Sequence, residues 1–482
     1  MENILTGSVL LFLLDWALRI WFLFYVPRKR APSSAIAWLL LVFLLPGLGI
    51  LLFFLIGSPK LSKSRRAVQK ETDKLIVSNL QHLPSEKNIF SDNAVRYQPI
   101  ADLAQALGKL PAMSGNTAEI FPEYNKAIDE IVKQVTLAKE FVNIEYFILA
   151  YDKTTKPLFD AMEAAVARGV PVRVMFDAMG FRAYPNRKFM RKELTRIGVE
   201  WHLMLPLRLG KKYNRPDLRN HRKIVVIDDA VAYLGSQNMI DRTYHRKDEI
   251  YYDELVVKLT GPVVRQANTL FASDWLAETG ETLRKLVSPK TRPLPKKTGT
   301  VRAQIVPSGP GYEVYGNLQL FAQLMYAAKK RIVITNPYFI PDESLMVACR
   351  SAAQRGVEVI MINSEVMDQA AVGNAQRSFY EELLEAGVKI YLYNAPILLH
   401  SKHLTIDDDI AVIGSSNMDI RSFALDLECV VVLYDKTVVS TLKKVQTKDL
   451  KRSTPLDLKR WRNRSLKHKF IEGIARLTSA IQ

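Results

Sequence analysis

The chain has 482 residues, of which 48% are hydrophobic, so it can form roughly two or three domains with cores of ordinary size. This composition excludes a wholly disordered or collagen-like chain, and two cysteines are too few for a disulfide scaffold or a thiol-rich metal site. Lys and Arg number 67 against 49 Asp and Glu, and the net charge of +18 favours anionic partners, either acidic lipid or nucleic acid.

Two apolar segments at the start of the chain predict attachment to a membrane. Residues 35–57 form a stretch of 23 residues without a charge, which is enough to cross a bilayer core of about 30 Å as a helix. Residues 4–26 form a second candidate, in which Asp15 and Arg19 lie four positions apart and can pair on one helical face. The alternative is a pair of buried core helices, which the length of segment 35–57 disfavours.

The topology of these segments stays open. Basic residues follow both of them, so the positive-inside rule does not choose an orientation. Pro46, Gly47 and Gly49 interrupt the second segment and permit a kinked or re-entrant hairpin, in which both basic flanks face the cytoplasm. We therefore expect residues 1–60 to form an N-terminal helical membrane hairpin and the body of the chain to be cytoplasmic.

Beyond a predicted basic linker and lead-in at residues 61–118, the chain is organised as two related α/β units. Segments of the first half recur in the second half in the same order, mostly as a helix, a glycine and a strand. A stretch rich in Pro and Lys at 288–299 separates the halves. The matching segments are 143–148 with 336–341, 164–177 with 352–364, and 194–204 with 383–393.

Each half also carries the same polar motif with identical internal spacing. The motif is H-x-K-x4-D followed by GSxN, and two complete copies are far less expected by chance than one. Its side chains are His221, Lys223, Asp228, Ser236 and Asn238 in the first copy, and His400, Lys402, Asp407, Ser415 and Asn417 in the second.

Strand parity predicts how each motif is arranged. A histidine and a lysine two positions apart face the same side of an extended strand. A tight turn at Asp228 sets His221 opposite Ser236, and the equivalent turn in the second copy sets His400 opposite Ser415. Each half then presents imidazole, ammonium, hydroxyl and amide on one surface. The aspartates are expected to hold the turns or to orient a partner.

Such a surface is suited to phosphoryl transfer without a metal or cofactor. Imidazole is largely neutral at physiological pH and is a competent nucleophile or acid. A neighbouring lysine supplies positive charge where phosphoryl oxygens gather negative charge, and hydroxyl and amide groups donate hydrogen bonds to the same oxygens. Two such sets facing each other provide one histidine to attack phosphorus and another to protonate the leaving oxygen.

The duplicated motif resembles that of the phospholipase D superfamily, and within it the bacterial cardiolipin synthases of the phospholipase D type. The paired N-terminal segments, RNHRK, DELVVKLTGPVV, VPSGP and TNPYFIPD add to the resemblance. It implies an α/β fold of two tandem phospholipase D-like α-β-α lobes with pseudo-twofold symmetry, preceded by the N-terminal helical hairpin. The expected lobes are residues 119–297 and residues 298–482, the second ending in a basic C-terminal tail.

The resemblance also implies roles for residues of the two copies. His221 is the expected nucleophile of a phosphohistidine intermediate and His400 the general acid and base, although the reverse order stays open. Glu254 and Glu428 match acidic positions that orient the histidines. The remaining motif residues are expected to complete the catalytic set, as Lys223, Asp228, Lys402 and Asp407, or to bind the substrate phosphate, as Ser236, Asn238, Ser415 and Asn417.

The reaction expected from the resemblance is reversible phosphatidyl transfer from one phosphatidylglycerol to another, giving cardiolipin and glycerol. The alternative is a membrane-bound phospholipase D hydrolase or tethered nuclease that uses water as acceptor. The expected partners are anionic phospholipids, phosphatidylglycerol and cardiolipin, in the bacterial cell membrane, with a multi-pass anchor and no nucleic acid partner. The residues do not indicate an oligomeric state.

A basic stretch at 443–469 near the end of the chain has a net charge of +9, from eleven Lys or Arg and two Asp. One interpretation is a surface that rests on anionic lipid, to which each basic residue adds about 1 kcal/mol. The other is a solvated helix face. The residues themselves do not choose between them.

Overall fold

The computed structural model describes residues 2–29, 32–57, 63–80, 92–184, 186–207, 215–245, 249–477 and 479. The chain divides into two compact units. The first comprises Met1–Lys63 with Leu207–Asp217, and the second comprises Ser64–Pro206 with Leu218–Gln482. Both predicted phospholipase D-like lobes lie within the second unit, except for Leu207–Asp217 of the first lobe.

The first unit is helical, as its apolar composition predicts. Its helices are α1 (Glu2–Tyr25), α2 (Pro32–Leu44) and α3 (Pro46–Ile56). The predicted ion pair within α1 is present, with Arg19 Nη2 2.7 Å from Asp15 Oδ2. Arg19 Nη1 also donates to the Phe43 carbonyl oxygen at 2.9 Å, which ties α1 to α2. The partly buried charge of Arg19 is thereby neutralised and hydrogen-bonded.

The second apolar segment differs from the single spanning helix that its length allows. Its helix ends at Leu44 and a new one begins at Pro46, so the segment folds as two short helices that pack on each other. Gly49 permits this close approach, because a Cβ there would overlap the backbone of Leu41 and Val42. No helix among the described residues is both long enough and apolar enough to cross a bilayer.

The remaining elements alternate between helix and strand. The helices are α4 (Lys63–Leu80), α5 (Gln98–Gly108), α6 (Tyr124–Leu137), α7 (Lys156–Ala167), α8 (Arg187–Arg196), α9 (Val264–Thr279), α10 (Arg284–Val287), α11 (Gly316–Ala327), α12 (Glu343–Gln354), α13 (Ala370–Arg377), α14 (Tyr380–Glu385), α15 (Ile420–Ala424), α16 (Lys436–Lys451), α17 (Leu458–Arg462) and α18 (Leu466–Leu477). The strands are β1 (Met113–Phe121), β2 (Val142–Tyr146), β3 (Val172–Asp177), β4 (Glu200–Met204), β5 (Arg219–Asn220), β6 (Ile224–Ile227), β7 (Val231–Gly235), β8 (Tyr251–Asp253), β9 (Val256–Thr260), β10 (Val301–Ser308), β11 (Arg331–Thr335), β12 (Glu358–Ser364), β13 (Lys389–Tyr393), β14 (Ile397–Leu399), β15 (His403–Ile406), β16 (Ile410–Gly414), β17 (Asp426–Tyr434) and β18 (Ser453–Pro455).

One continuous sheet runs through both lobes and repeats its strand order about its centre. From the centre outwards, the first lobe has the order β1-β9-β7-β6-β2-β3-β4 and the second has β10-β17-β16-β15-β11-β12-β13, with β18 at its edge. The antiparallel pair β1–β10 joins the halves. The two orders are equivalent strand for strand, so the duplicated α/β architecture predicted from the sequence is present and has a pseudo-twofold axis at this pair.

Glycines in the repeated segments end equivalent helices in the two lobes. Gly169 and Gly356 follow α7 and α12 with φ of 83°, and Gly198 and Gly387 follow α8 and α14 with φ of 82° and 92°. Left-handed backbone at this position favours glycine because it has no Cβ. The repeated glycines therefore mark the points where each helix turns back into a strand of the parallel part of the sheet.

The segment before the first lobe differs from the expected linker over residues 61–118. Its last residues form the beginning of β1, the first-lobe strand that lies at the centre of the whole sheet. Helix α5 buries Ile100, Ala104 and Leu107 in the core of the second lobe. The apolar spacing of these residues drives this burial. A helix that precedes the first lobe in the sequence therefore packs on the second lobe.

Two glycines of the GSxN motifs pack directly against a neighbouring strand. A Cβ on Gly235 would overlap the Leu255 carbonyl oxygen, and one on Gly414 would overlap the Cys429 carbonyl oxygen. We predict that Gly235→Ala and Gly414→Ala each lower the free energy of unfolding by about 3 kcal/mol or more, because backbone atoms must move apart. Urea denaturation of the purified variants measures this change.

Gly473 provides the matched control for these substitutions. It lies inside α18, and no heavy atom comes within 4 Å of a Cβ built there. Gly473→Ala should leave stability unchanged or raise it by up to about 1 kcal/mol, because alanine is the better helix former. Equal stability in all three variants would contradict the close packing at the two motif glycines.

Candidate active site

The histidine of the first motif is delivered to the second lobe by a short parallel strand pair. Strand β5 pairs with β17, with Asn220 level with Leu427. The His221 backbone N–H then donates to the Leu427 carbonyl oxygen at 2.8 Å. One further step in this register places His221 level with Glu428.

The histidine of the second motif is delivered to the first lobe in the same way. Strand β14 pairs in parallel with β8, with Leu399 level with Asp253. The His400 backbone N–H donates to the Asp253 carbonyl oxygen at 2.7 Å. The next residues in register are His400 and Glu254. Each lobe therefore places its motif histidine beside a glutamate of the other lobe.

Each imidazole is hydrogen-bonded to a carboxylate of the other lobe. His221 Nδ1 lies 2.9 Å from Glu428 Oε1, and His400 Nδ1 lies 2.6 Å from Glu254 Oε1. Both glutamate side chains are fully buried. A carboxylate at Nδ1 favours the tautomer that carries its proton there, which leaves Nε2 of each ring free for chemistry.

The hairpins of the two motifs have a register that differs from the predicted one. Ile224 pairs with Leu234 in the first copy, which is one residue away from the register expected from a turn at Asp228. The strand β6 also begins after His221 rather than containing it. His221 therefore does not lie opposite Ser236, because its backbone hydrogen bond is made to the other lobe.

The two motif lysines are buried beside the histidines. Lys223 Nζ donates to the His221 carbonyl oxygen at 2.7 Å, and Lys402 Nζ donates to the His400 carbonyl oxygen at 2.6 Å. Burial lowers the pKa of Lys223 to about 7 and that of Lys402 to about 8. The charge of Lys402 lowers the pKa of Lys223 further, so the two lysines share one electrostatic environment.

The pKa values of both histidines are also lowered. Burial lowers the pKa of His221 to about 4, against the opposing effect of Glu428, and Lys223 and Lys402 lower it further. Burial likewise lowers the pKa of His400, against the opposing effect of Glu254. The imidazoles are thus neutral at physiological pH in the absence of substrate, as a nitrogen nucleophile must be.

The motif aspartates lie at the turns, away from this cluster. Asp228 accepts hydrogen bonds from the backbone N–H groups of residues 139–141, and Asp407 accepts them from those of residues 329–331. Both have positive φ, at 55° and 52°. They hold the loops that precede β2 and β11, at the end of each hairpin opposite to the histidines. These contacts are those of residues that hold turns, and the place in the catalytic set that the resemblance implies stays a prediction.

The serines and asparagines of the GSxN motifs lie in the same region, but their hydrogen-bond partners differ between the two copies. Ser415 Oγ donates to Glu428, whereas Ser236 Oγ lies 3.3 Å from the Leu255 carbonyl oxygen. Asn238 Oδ1 accepts from the Ile148 N–H at 3.3 Å. Asn417 Oδ1 is buried and makes no hydrogen bond to any described residue, so this amide is available to a ligand.

Several residues around the histidines carry no motif signal and were not predicted. The rings of Tyr252 and Tyr338 contact His400 edge-on, with centroids 5.5 and 6.0 Å away. Asp368 accepts hydrogen bonds from both tyrosine hydroxyls, at 3.1 and 2.6 Å. Phe147 packs edge-on against His221 at 5.2 Å. These residues come from separate parts of the chain, so only the tertiary structure brings them together.

The described residues contain no group of three or more His, Cys, Asp or Glu side chains arranged to hold a metal ion. Cys349 and Cys429 are both buried free thiols.

Comparison with known proteins agrees with this arrangement. Residues 131–275 and 321–450 match the family described as "Cardiolipin synthase, PLD-like domain", and residues 17–58 match "Phospholipase_D-nuclease N-terminal". The chain is 32% identical to cardiolipin synthase A of Proteus mirabilis (strain HI4320) over 478 residues, which is 97% of each chain. It is 33% identical to cardiolipin synthase A of Klebsiella pneumoniae (strain 342) over 93% of this chain and 92% of that one.

A solved structure shares the fold at low sequence identity. The phosphatidylserine synthase of Haemophilus influenzae Rd KW20 superposes with a TM-score of 0.60 and 14% identity, over 79% of this chain and 99% of that one. This likeness supports the mixed α/β architecture of the second unit.

The turn-holding role of the motif aspartates can be separated from a role in chemistry. We predict that Asp228→Asn and Asp407→Asn each lower the free energy of unfolding by about 2 kcal/mol, because a neutral amide oxygen accepts the backbone hydrogen bonds more weakly. Turnover of the folded variants should stay within about threefold of the parent. Asp408→Asn, at an exposed neighbouring position, is the control and should change neither quantity. A large loss of turnover at unchanged stability would assign the aspartates to the reaction.

The crossed His–Glu pairs predict a pH dependence. The charge of Glu254 raises the pKa of His400, so Glu254→Gln should lower that pKa further. His400 then loses its proton at lower pH, and the alkaline limb of the kcat/KM profile should move to lower pH. Profiles measured with short-chain phosphatidylglycerol in micelles test this shift. If the alkaline limb does not move in Glu254→Gln, the His400–Glu254 pair does not control the protonation of His400.

Proposed function

The chain belongs to the cardiolipin synthase family of the phospholipase D superfamily, and from this membership we propose that it joins two molecules of phosphatidylglycerol to give cardiolipin and glycerol. The observation that carries the proposal is the pair of crossed His–Glu hydrogen bonds beside two buried lysines. Such a site offers two imidazoles with different tasks at one phosphodiester, and cationic groups for its charge.

In the first step, a neutral imidazole attacks the phosphorus of phosphatidylglycerol. The attacking atom is Nε2 of His221, because its Nδ1 is occupied by Glu428. A bond forms between Nε2 and phosphorus, and the bond from phosphorus to the glycerol oxygen breaks. The negative charge of the bound phosphodiester favours the protonated form of His400, which takes up a proton from solvent. His400 then gives this proton from Nε2 to the departing oxygen, so glycerol leaves neutral and a phosphatidyl-histidine remains.

In the second step, a second phosphatidylglycerol supplies the attacking hydroxyl. His400, now neutral, accepts the proton of that hydroxyl as its oxygen bonds to phosphorus. The bond between phosphorus and His221 breaks, which releases cardiolipin. The acid of the first step is thereby restored, and the sequence is reversible because each step exchanges one ester or phosphoramide bond for another.

The unequal surroundings of the two histidines support this order of roles. Each carboxylate also interacts with the serine of a GSxN motif, Glu428 with Ser415 and Glu254 with Ser236, so the two pairs differ mainly in the length of the His–Glu hydrogen bond. Glu254 makes the shorter hydrogen bond, 2.6 Å, to His400. The better-stabilised imidazolium belongs at the position that must carry a proton to the leaving group, and the neutral ring belongs at the nucleophile.

Burial of the lysines prepares the site for an anion. Lys223 and Lys402 have lowered pKa values because burial disfavours their charge, and a phosphodiester between them restores a favourable environment for both. Their ammonium groups then stabilise the charge that grows on the phosphoryl oxygens. The amide N–H and hydroxyl groups of the GSxN side chains donate to the phosphoryl oxygens, and the unpartnered Asn417 Oδ1 can accept from a substrate hydroxyl.

The first unit supports action at a lipid surface. Helix α1 and the α2–α3 pair expose apolar side chains such as Phe12, Leu44 and Phe54, which are between 62% and 75% exposed. Exposed apolar surface of this kind is typical of contact with lipid. We place the enzyme at the bacterial cell membrane, attached through these helices with α2–α3 as a re-entrant hairpin, and its catalytic body in the cytoplasm.

The decisive experiment is product analysis with phosphatidylglycerol vesicles as sole lipid. The purified full chain should form cardiolipin and release glycerol in equal amounts, and His221→Ala and His400→Ala should each abolish turnover, without further loss in the double variant. Formation of phosphatidic acid in place of cardiolipin would show that water is the acceptor. Turnover retained in both single variants would contradict the two-histidine mechanism.

A substrate with a better leaving group separates the two histidines. Nitrophenolate leaves without a proton, so phosphatidyl-p-nitrophenol should still react with His400→Ala, in a burst of about one equivalent per site, but not with His221→Ala. A burst in His221→Ala instead would reverse the roles.

A further inference from the structure

Helix α18 presents an apolar face that no described part of the chain covers. Leu466, Phe470, Ile474 and Leu477 recur at helical spacing and are 83%, 70%, 50% and 82% exposed. These four residues, named here the α18 face, lie within one stripe of the helix. Single exposed apolar residues are ordinary on a protein surface, but a stripe along one helix marks an interaction site.

The opposite side of α18 is fixed to the second lobe. Ala475 is buried, and the buried Glu472 pairs with Arg464 at 2.9 Å. Arg476 donates to Glu382 at 3.2 Å and lies over the ring of Phe379 at 4.5 Å. These contacts hold the helix in place. The apolar face is therefore exposed even though α18 is packed on the second lobe.

Unpaired cations flank the α18 face. Lys467 and Lys469 lie on its two sides, and Lys459 and Arg460 precede it on α17. None of the four makes an ion pair with any described residue, whereas the other basic side chains nearby, Arg462, Arg464 and Arg476, all do. An apolar stripe bordered by free cations matches the interface of a bilayer that contains anionic lipid.

The position of α18 connects this face to the catalytic histidine. Helix α18 packs against α13, which begins at Ala370, two residues after Asp368. Asp368 holds the two tyrosine rings that contact His400. Helix α13 thus connects α18 to the residues that surround His400.

We propose that the α18 face is an interfacial membrane-binding site, which inserts among anionic lipids and sets the mouth of the active site against the bilayer. The inference rests on the proposed function, because it assumes that the substrate is drawn from that bilayer. It differs from the two interpretations of the basic stretch at 443–469. Helix α16, which runs into that stretch, is held to the core by Val438, Val439, Leu442 and the partly buried Val445. We therefore assign the lipid contact to α18 and its flanking cations rather than to the charge of the whole stretch.

The buried native thiols allow a direct test in the full chain. Cys349 and Cys429 are 0% and 2% exposed, so a cysteine introduced at Phe470 can be labelled selectively with a fluorophore. Leu137→Cys is the matched control, because Leu137 is 59% exposed at the end of α6, beside the loop that Asp228 holds at the far end of the lobe from His221. Both variants are reconstituted into phosphatidylglycerol vesicles that contain nitroxide-labelled acyl chains.

We expect lipid nitroxides to quench the label at Phe470→Cys at least threefold more than the label at Leu137→Cys, and less strongly in phosphatidylcholine vesicles. Equal quenching at the two positions would overturn the proposal. So would self-quenching of the Phe470→Cys label without quenching by lipid, which would show that a second copy of the chain covers the face. These readouts do not depend on turnover, so they stand apart from a failure of the proposed reaction.

Activity provides a second and independent readout. Phe470→Ser with Ile474→Ser should reduce cardiolipin formation on vesicles about tenfold and leave it unchanged in detergent micelles, where no bilayer has to be engaged. An equal loss in both assays would indicate damage to the enzyme, and no loss in either would remove the role of the face; both results contradict the proposal. Val347→Ser, at an exposed position on α12, controls for the loss of an exposed apolar side chain.

Discussion

Each imidazole of the site depends on a carboxylate that the other lobe supplies. Glu254 and Glu428 are fully buried, and a buried carboxylate without a partner is strongly destabilising. Neither lobe can therefore present its own histidine in the right tautomer, and neither can bury its own glutamate at low cost. This reciprocal requirement couples the docking of the lobes to the formation of the active site, since both hydrogen bonds exist only in the docked arrangement.

The sheet makes that docking rigid. Strands β1 and β10 join the halves at the pseudo-twofold axis, and the lobes share one apolar core to which Leu234, Ile305 and Val431 contribute. The crossing strands β5 and β14 then need only a few residues to carry each histidine across. Groups carried by short strands that pack on one rigid sheet keep their separation. A reaction with one nucleophilic and one proton-transferring imidazole at the same phosphodiester requires this.

The two motif copies differ beside their histidines, so the pseudo-twofold symmetry is not exact at the active site. The residue between histidine and lysine is Arg222 in the first copy and Ser401 in the second. Arg222 is fully buried, pairs with Asp274 and donates from Nε to the Glu428 carbonyl oxygen at 3.1 Å. The first histidine thus has a carboxylate whose backbone is fixed from both lobes and whose charge is shared with Ser415. The two related halves thus surround their histidines differently, and histidines in different surroundings can perform different tasks.

The sequence alone determined the duplicated α/β architecture and the two polar motifs. These features follow from local spacing, because a repeated pattern of glycines, apolar runs and polar residues folds into the same local elements wherever it occurs. Only the tertiary structure decided that each histidine pairs with the glutamate of the other lobe, that residues 113–118 belong to the central strand, and that Tyr252, Tyr338 and Asp368 surround His400. The structure also separated the aspartates from the histidines and divided the second apolar segment at Pro46. These outcomes depend on strand register and on contacts between residues far apart in the chain, which local spacing does not encode.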